Sequence, residues 1–254
     1  MPDAAELIEG IRAVASRAGA AILDIYARPF AVERKADASP VTQADEVAEA
    51  IILEALRAAT PDIPVVAEEL CAAGGMPATV PGRFWLVDPL DGTKEFIARN
   101  GEFTVNIALI ERRRPVLGVI LVPVQDVTYW AVAGMAWRQR GASAAERIAA
   151  RAVPAEGAVV LHSRSHADAA KLDAYVAALP RAARRIAGSS LKFCLLAAGE
   201  ADLYPRFGRT MEWDTAAGQA VLEAAGGGVR TLDGAPLAYG KPGFENPDFI
   251  ARGA

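Results

Sequence analysis

Residues 85–96 read WLVDPLDGTKEF, from Trp85 to Phe96. An apolar run with strand character, RFWLVD, delivers Asp88 to its end. Pro89 has no N–H to continue a ladder, so the strand should stop there, with Asp91 following in one tight turn. Gly92 permits a backbone conformation that other residues resist, and Thr93 adds a hydroxyl and an amide. Two carboxylates this close repel each other unless something cationic lies between them. The structural alternative is an Asp-rich turn in which Asp91 caps the next element. An EF-hand is excluded, because the loop lacks alternate acidic positions before its glycine.

Other acidic positions lie on either side. Upstream, the strand-like IPVVA ends on Glu68 and Glu69, and Asp45 sits in the first turn of a predicted helix, behind Lys35, Asp37, Ser39 and Thr42. Downstream, Asp214 is expected to begin a helix after Glu212 and Trp213. Each has an ordinary use: Thr42 with Asp45 fits a capping box, Asp214 fits an N-cap, and Glu68 can be solvated. Together they mark strand ends and helix starts, where α/β folds place ligand sites. Every candidate donor is oxygen, which suits Mg²⁺ or Mn²⁺ rather than zinc or copper. So acidic a site repels a phosphate ester unless cations neutralise it, and two ions can also steady the attacking and leaving oxygens. The expected chemistry is metal-dependent hydrolysis of a small phosphorylated metabolite.

Helical spacing of Leu7, Ile8, Ile11, Val14, Ala18, Ile22 and Ile25 predicts a helix over 3–26. Val47, Ile51, Leu53 and Leu56 predict a second over 43–59. Then the period changes. FTVNIALIE, RPVLGVILVP, VTYWAVA and MAWRQRG read as strands joined by short turns, hence an antiparallel sheet. Beyond about residue 150 strands and helices alternate: VVLHS, HADAAKLDAYVAAL, RRIAG, SLKFCLLAAGE, ADLYPRF and DTAAGQAVLEAAG, with GVRTLDG closing the series. The fold class is therefore α/β, with an α+β half over 1–150 and an α/β half over 151–254. The Ala-rich stretch 142–155 is the expected junction.

Several classes are excluded. The 31 acidic against 27 basic residues give a net charge of −4 and no basic stripe, which argues against a nucleic-acid polymer as partner. Cys71 and Cys194 supply neither a disulfide framework nor a zinc site, and fit a reducing cytoplasm. Cys194, inside an apolar helix, is expected in the core. The acid-bearing N-terminus does not read as a signal peptide and no run reaches spanning length. The expected location is cytoplasmic, with peripheral attachment to the cytoplasmic face of the inner membrane left open. Neither His162 nor His166 joins a nucleophile–base pattern, and GxSxG and Walker A are absent.

WLVDPLDGTKEF, the upstream Glu-Glu pair and WDTAAG resemble the inositol monophosphatase superfamily of lithium-sensitive, metal-dependent phosphatases, over nearly the whole chain. KADASPVTQAD, SRSHAD, GSSLKFCLLAAGEADLYPRFG and the Lys94-Glu95-Phe96 continuation are similar to its bacterial 3′(2′),5′-bisphosphate nucleotidase branch; Ala38 stands where that branch usually has Asn. The resemblance implies a layered αβαβα sandwich of the inositol monophosphatase and fructose-1,6-bisphosphatase type. It implies two or three Mg²⁺ ions on Glu68, Asp88, the Leu90 carbonyl, Asp91 and Asp214, with Asp88 bridging. Asp45 would serve an outer site, and Thr93, paired with Glu68 or Asp45, would orient and deprotonate the attacking water. The Gly92 and Thr93 amides would receive the phosphate. His166, Ser189, Lys192 and Arg206 would meet the nucleotide, the two cations at its 5′ phosphate. The implied substrate is 3′-phosphoadenosine 5′-phosphate or its sulfate-bearing analogue, products of sulfur metabolism, and the implied assembly a monomer or homodimer. An inositol or sugar monophosphatase and a non-catalytic phosphometabolite or metal sensor are the rival readings.

Overall fold

The computed structural model describes residues 4–35, 39–164 and 168–254. Two helices open it: α1 (Ala4–Tyr26) and α2 (Gln43–Ala59), separated by a ribbon of β1 (Glu33–Arg34) and β2 (Pro40–Val41). A seven-stranded sheet follows: β3 (Val65–Ala67), β4 (Arg83–Asp91), β5 (Thr104–Glu111), β6 (Arg114–Val122), β7 (Val127–Val132), β8 (Met135–Arg140) and β9 (Glu146–Arg147), side by side in chain order. β3 lies parallel to β4 and every later pair is antiparallel. Between these strands, α3 (Glu68–Leu70) is one turn and α4 (Thr93–Ile97) five residues.

The second sheet is built from β10 (Val159–His162), β11 (Ala183–Ile186), β12 (Leu203–Arg206), β14 (Gly228–Thr231) and β16 (Phe249–Arg252), in the order β11-β10-β12-β16-β14. Its helices are α5 (Ala169–Ala177), α6 (Leu191–Ala197) and α7 (Ala216–Ala224), and β13 (Thr210–Met211) pairs with β15 (Glu245–Asn246). The expectation that GVRTLDG closes the series is corrected. β16 comes later and inserts antiparallel between β12 and β14.

Strand alternation separates two cores. On one face of the first sheet Trp85, Val87, Val105, Ile107, Val119 and Leu121 meet Ile8, Ile11, Ile22, Ile52 and Leu56 of α1 and α2. On the other, Phe84, Leu86, Ala108, Ile110 and Ile120 meet Phe193, Leu196, Ala217, Ala220 and Val221 of α6 and α7. Gly118 explains how closely α7 approaches: a Cβ there would lie 2.7 Å from the Ala217 carbonyl oxygen and 2.8 Å from the Ala220 Cβ. The reverse side of the second sheet packs Val160 and Leu203 against Tyr175 and Leu179. The layers are thus α1/α2, sheet, α6/α7, sheet, α5. Each fully buried Ile or Leu in these interfaces contributes about 1.5–3 kcal/mol by leaving water, so the layers hold without a disulfide; Cys194 is buried and both cysteines are free.

One local feature positions the site. β4 does not end at Pro89 as its sequence suggests. It continues to Asp91 with a register shift: Asp88 pairs with Asn106 and Asp91 with Thr104, leaving Pro89 and Leu90 opposite Val105 alone. Proline is tolerated there because a bulge leaves its residue out of the ladder. The bulge also changes direction. Three residues apart on a regular strand, Asp88 and Asp91 would face opposite sides. With one residue inserted they share the face of Asn106 and Thr104, towards α6 and α7.

Candidate active site

The strand β4 carries Phe84, Leu86 and Asp88 on one face, so the face that packs the second core also aims Asp88 at the turn Glu212–Asp214. There Glu68, Asp88 and Asp214 come together, with carboxylate oxygens within 4.8 Å of one another. Asp88 is buried, and burial, followed by Glu68, Asp91 and Asp214, drives its pKa well above the usual carboxylate value. Asp214 is shifted in the same direction by burial, Asp91 and Glu68. The Leu90 amide donates to Asp88 Oδ1 (3.0 Å). Asp214 ends a 3-10 turn rather than beginning a helix: the Met211 amide donates to its Oδ2 (2.9 Å), and α7 starts at Ala216.

Glu68 and Glu69 open the turn α3 instead of ending a strand. Lys35 Nζ donates to Glu68 Oε1 (2.7 Å) and Glu69 Oε1 (2.6 Å). Burial works against that ammonium, but the two carboxylates outweigh it and raise its pKa. Glu69 is nevertheless pushed up to about 8 by burial and by Glu68, since one ammonium does not offset both. Glu49 clamps this turn from α2, its carboxylate accepting the Glu69 and Leu70 amides, each at 2.8 Å.

Asp45 does two things at once. As the N3 residue of α2 its Oδ2 accepts from the Thr42 amide and hydroxyl, both at 2.8 Å, completing the expected capping box. Its Oδ1 accepts from Thr93 Oγ1 at 3.1 Å, so Thr93 is paired with Asp45. Burial raises the Asp45 pKa against the pull of the Thr42 bonds. Gly92, at φ +96°, turns the chain out of β4 so that Thr93 starts α4 beside Asp45.

Beside them opens a cleft of about 480 Å³ whose walls include Glu68, Asp91, Gly92, Thr93, Ser189, Lys192, Arg206 and Asp214, with Asp45 and Asp88 buried behind its lining. Lys192 is almost fully buried: its Nζ donates to the carbonyls of Ala187 (3.1 Å) and Ser189 (2.7 Å) and lies 5.1 Å from the centre of the Tyr204 ring. Burial, opposed by Asp91, lowers its pKa to about 8. Arg206 donates to Ser163 Oγ (2.9 Å) and the Arg209 carbonyl (2.8 Å), while its buried Nε has no partner. His166 and Asp37 lie outside the described residues.

Sequence reasoning missed Glu49, Asn106 and Ser190, all buried at this site. Asn106 carried a signal, a polar residue among strictly apolar neighbours in TVNIALIE; Ser190 sits beside the expected Ser189 and gave none. The donor set fits a hard divalent cation. Of its three converging carboxylates Glu68 is paired with the Lys35 ammonium, while burial opposes a charge on Asp88 and Asp214, which a bound cation would offset.

The sequence profile of the inositol monophosphatase family matches residues 3–249. Among relatives, the 3′(2′),5′-bisphosphate nucleotidase CysQ of Escherichia coli O157:H7 is 49% identical over 254 residues, covering 96% of this chain and 98% of that one. The protein of the same name in Salmonella typhimurium is 49% identical over 246 residues, with the same coverage. Among solved structures, CysQ from Bacteroides thetaiotaomicron superposes with a TM-score of 0.81 at 37% identity, covering 98% of this chain and 97% of that one. An inositol monophosphatase from Zymomonas mobilis gives 0.79 at 26% identity, over 99% and 94%. With a family match across nearly its whole length and an acidic cleft built from both sheets, the chain belongs to the inositol monophosphatase family.

Proposed function

We propose that the chain is a Mg²⁺-dependent 3′(2′),5′-bisphosphate nucleotidase that hydrolyses 3′-phosphoadenosine 5′-phosphate to AMP and phosphate. The observation that carries this is one cleft whose walls bring Glu68 and Asp214 of the acidic cluster together with the buried cations Lys192 and Arg206. Such a pocket suits a substrate with two phosphates on one ribose. The half over 1–150 brings Asp45, Glu68, Asp88, the Leu90 carbonyl and Asp91, and the half over 151–254 brings Asp214 and the nucleotide contacts.

Glu68, Asp88, Asp91 and Asp214 would hold Mg²⁺, or Mn²⁺ in its place. When bound, the cations neutralise the cluster, polarise the phosphoryl oxygens and lower the pKa of water. The protein's own part is proton handling and orientation. Asp45 Oδ2 is committed to Thr42, so Oδ1 is the oxygen that receives a proton. Thr93 gives its hydroxyl proton to that oxygen as it takes one from the attacking water, and the raised pKa of Asp45 makes it a better base near neutrality. The Gly92 and Thr93 amides face the phosphate. Arg206, whose side chain forms part of the cleft wall, grips the 5′ phosphate, and Lys192 adds charge from behind the Ser189 loop.

The test is phosphate release from 3′-phosphoadenosine 5′-phosphate, adenosine 3′-phosphate, inositol 1-phosphate and fructose 1,6-bisphosphate, with Mg²⁺ and with chelator. The bisphosphonucleotide should be preferred and chelation should abolish turnover. Equal rates on the two nucleotides, or a higher rate on inositol 1-phosphate, would reject the substrate. Full activity in chelator would reject the metal centre.

A further inference from the structure

Ser190 occupies the N-cap position of α6, yet no amide of that helix bonds to its side chain. A serine there ordinarily accepts from the first turn. Here its hydroxyl lies 2.8 Å from Asp91 Oδ2 and 2.7 Å from the Asp214 carbonyl oxygen, one proton shared between two acceptors. The Ser190 amide also donates to Asp91 Oδ2, at 2.6 Å. Asn106, directly across from Asp88 on β5, donates its Nδ2 to Ser190 Oγ (3.0 Å) and to Asp91 Oδ2 (3.3 Å). Ser190 and Asn106 are each 1% exposed, so none of these bonds is shared with bulk solvent.

The consequence is directional. Asp91 Oδ2 receives up to three donors, while among the described residues Oδ1 receives none. Hydrogen bonds that saturate one oxygen of a ligating carboxylate fix its rotamer and leave the other oxygen as the one presented. The same hydroxyl reaches the backbone of Asp214, which comes from the other side of the cleft. It therefore ties the two walls together at the level of the acidic cluster.

We infer that Ser190 is a positioning residue for the metal centre: supported by Asn106, it turns Asp91 Oδ1 towards the ions and fixes the separation of Asp91 and Asp214. The inference rests on the metal reading above. It concerns metal affinity, not the chemistry of the phosphate. Removing the hydroxyl should weaken ion binding about 10- to 100-fold, the range for groups that orient ligands, and saturating metal should restore most of kcat.

The measurement is Mn²⁺ binding to metal-free wild type, Ser190→Ala and Asn106→Ala, by calorimetry and by the loss of the free-ion paramagnetic resonance signal. Melting temperatures in chelator are recorded alongside. Both variants should bind Mn²⁺ at least about tenfold more weakly while melting in chelator within a few degrees of wild type. Unchanged affinity in Ser190→Ala overturns the inference, and so does a lowered melting temperature with wild-type affinity, which marks a purely structural bond. A wild type that takes up no Mn²⁺ overturns the metal centre itself and this inference with it. Asn106→Ala keeps the question answerable should Ser190→Ala fail to fold.

Discussion

Asp88→Asn exchanges one carboxylate oxygen for an amide and leaves the side chain's shape almost unchanged, so its effects are those of charge. In the metal-free protein Asp88 is buried with Glu68 and Asp214 oxygens within 4.8 Å. At an effective dielectric of about 20, two unit charges at that distance repel by roughly 3 kcal/mol. The cluster relieves part of this by binding a proton, as the raised pKa of Asp88 records. The variant should therefore be more stable than wild type in chelator by about 2 kcal/mol, or roughly 4–8 °C in Tm for a chain of this size.

The sign can be checked against pH. The folded state holds the Asp88 proton more tightly than the unfolded chain, whose carboxyl titrates near 3.9. The carboxylate's destabilising effect is therefore absent at low pH and grows as pH rises towards the folded pKa. The stability gap between variant and wild type should close as pH falls from about 7.5 towards 4. Mg²⁺ should reverse the order. Wild type gains about 2.7 kcal/mol at a metal concentration a hundredfold above Kd, and the variant, lacking the central carboxylate, gains little. Turnover should fall by about 10³ or more, as for loss of a preorganised electrostatic element. The assay is scanning fluorimetry in chelator and in Mg²⁺ across pH, beside steady-state phosphate release. A variant less stable in chelator, or one that Mg²⁺ stabilises as strongly as wild type, would refute the reasoning.

Thr93→Ala should lower kcat far more than it raises KM, because orienting and deprotonating water matters mainly in the transition state; a change confined to KM would leave Thr93 only a phosphate contact. Arg206→Ala should lose roughly ten- to a hundredfold in kcat/KM on 3′-phosphoadenosine 5′-phosphate and much less on adenosine 3′-phosphate, and equal losses on both would remove Arg206 from the 5′ phosphate. Since burial lowers the Lys192 pKa to about 8, its charge is present below that pH and lost above it. KM for the bisphosphate should rise between pH 7 and 9, and the steepest part of that rise should vanish in Lys192→Met; an identical profile in the variant would detach Lys192 from the substrate.

How much of this was legible beforehand follows from where each signal lives. α2 was placed at its observed bounds because its apolar period, capping threonine and acidic first turn all lie within one segment. The strands from β5 to β8 were legible for the same reason: alternation and turn residues are local. β16 was missed because its four residues follow a proline and pair with strands remote in sequence, and no local pattern encodes that pairing. The second sheet read as a plain α/β alternation in consequence.

The bulge in β4 is the more instructive failure. Pro89 in a strand argues for a stop, and the inference from Asp88-Pro89-Leu90-Asp91 was a turn. The missing N–H instead falls where the ladder skips a residue, and the skip puts Asp88 and Asp91 on one face. A regular strand would have sent one carboxylate into α1 and α2, where Trp85 and Val87 are packed; a turn would have left both in solvent. The spacing that suggested chemistry is thus explained by register. Likewise Asp45 reads in the sequence both as a cap and as a partner for Thr93, and the structure joins the two in one arrangement: the capping box holds Oδ2 while Oδ1 accepts from Thr93. Local rules identified the residues with unusual demands, and long-range pairing decided what those demands serve.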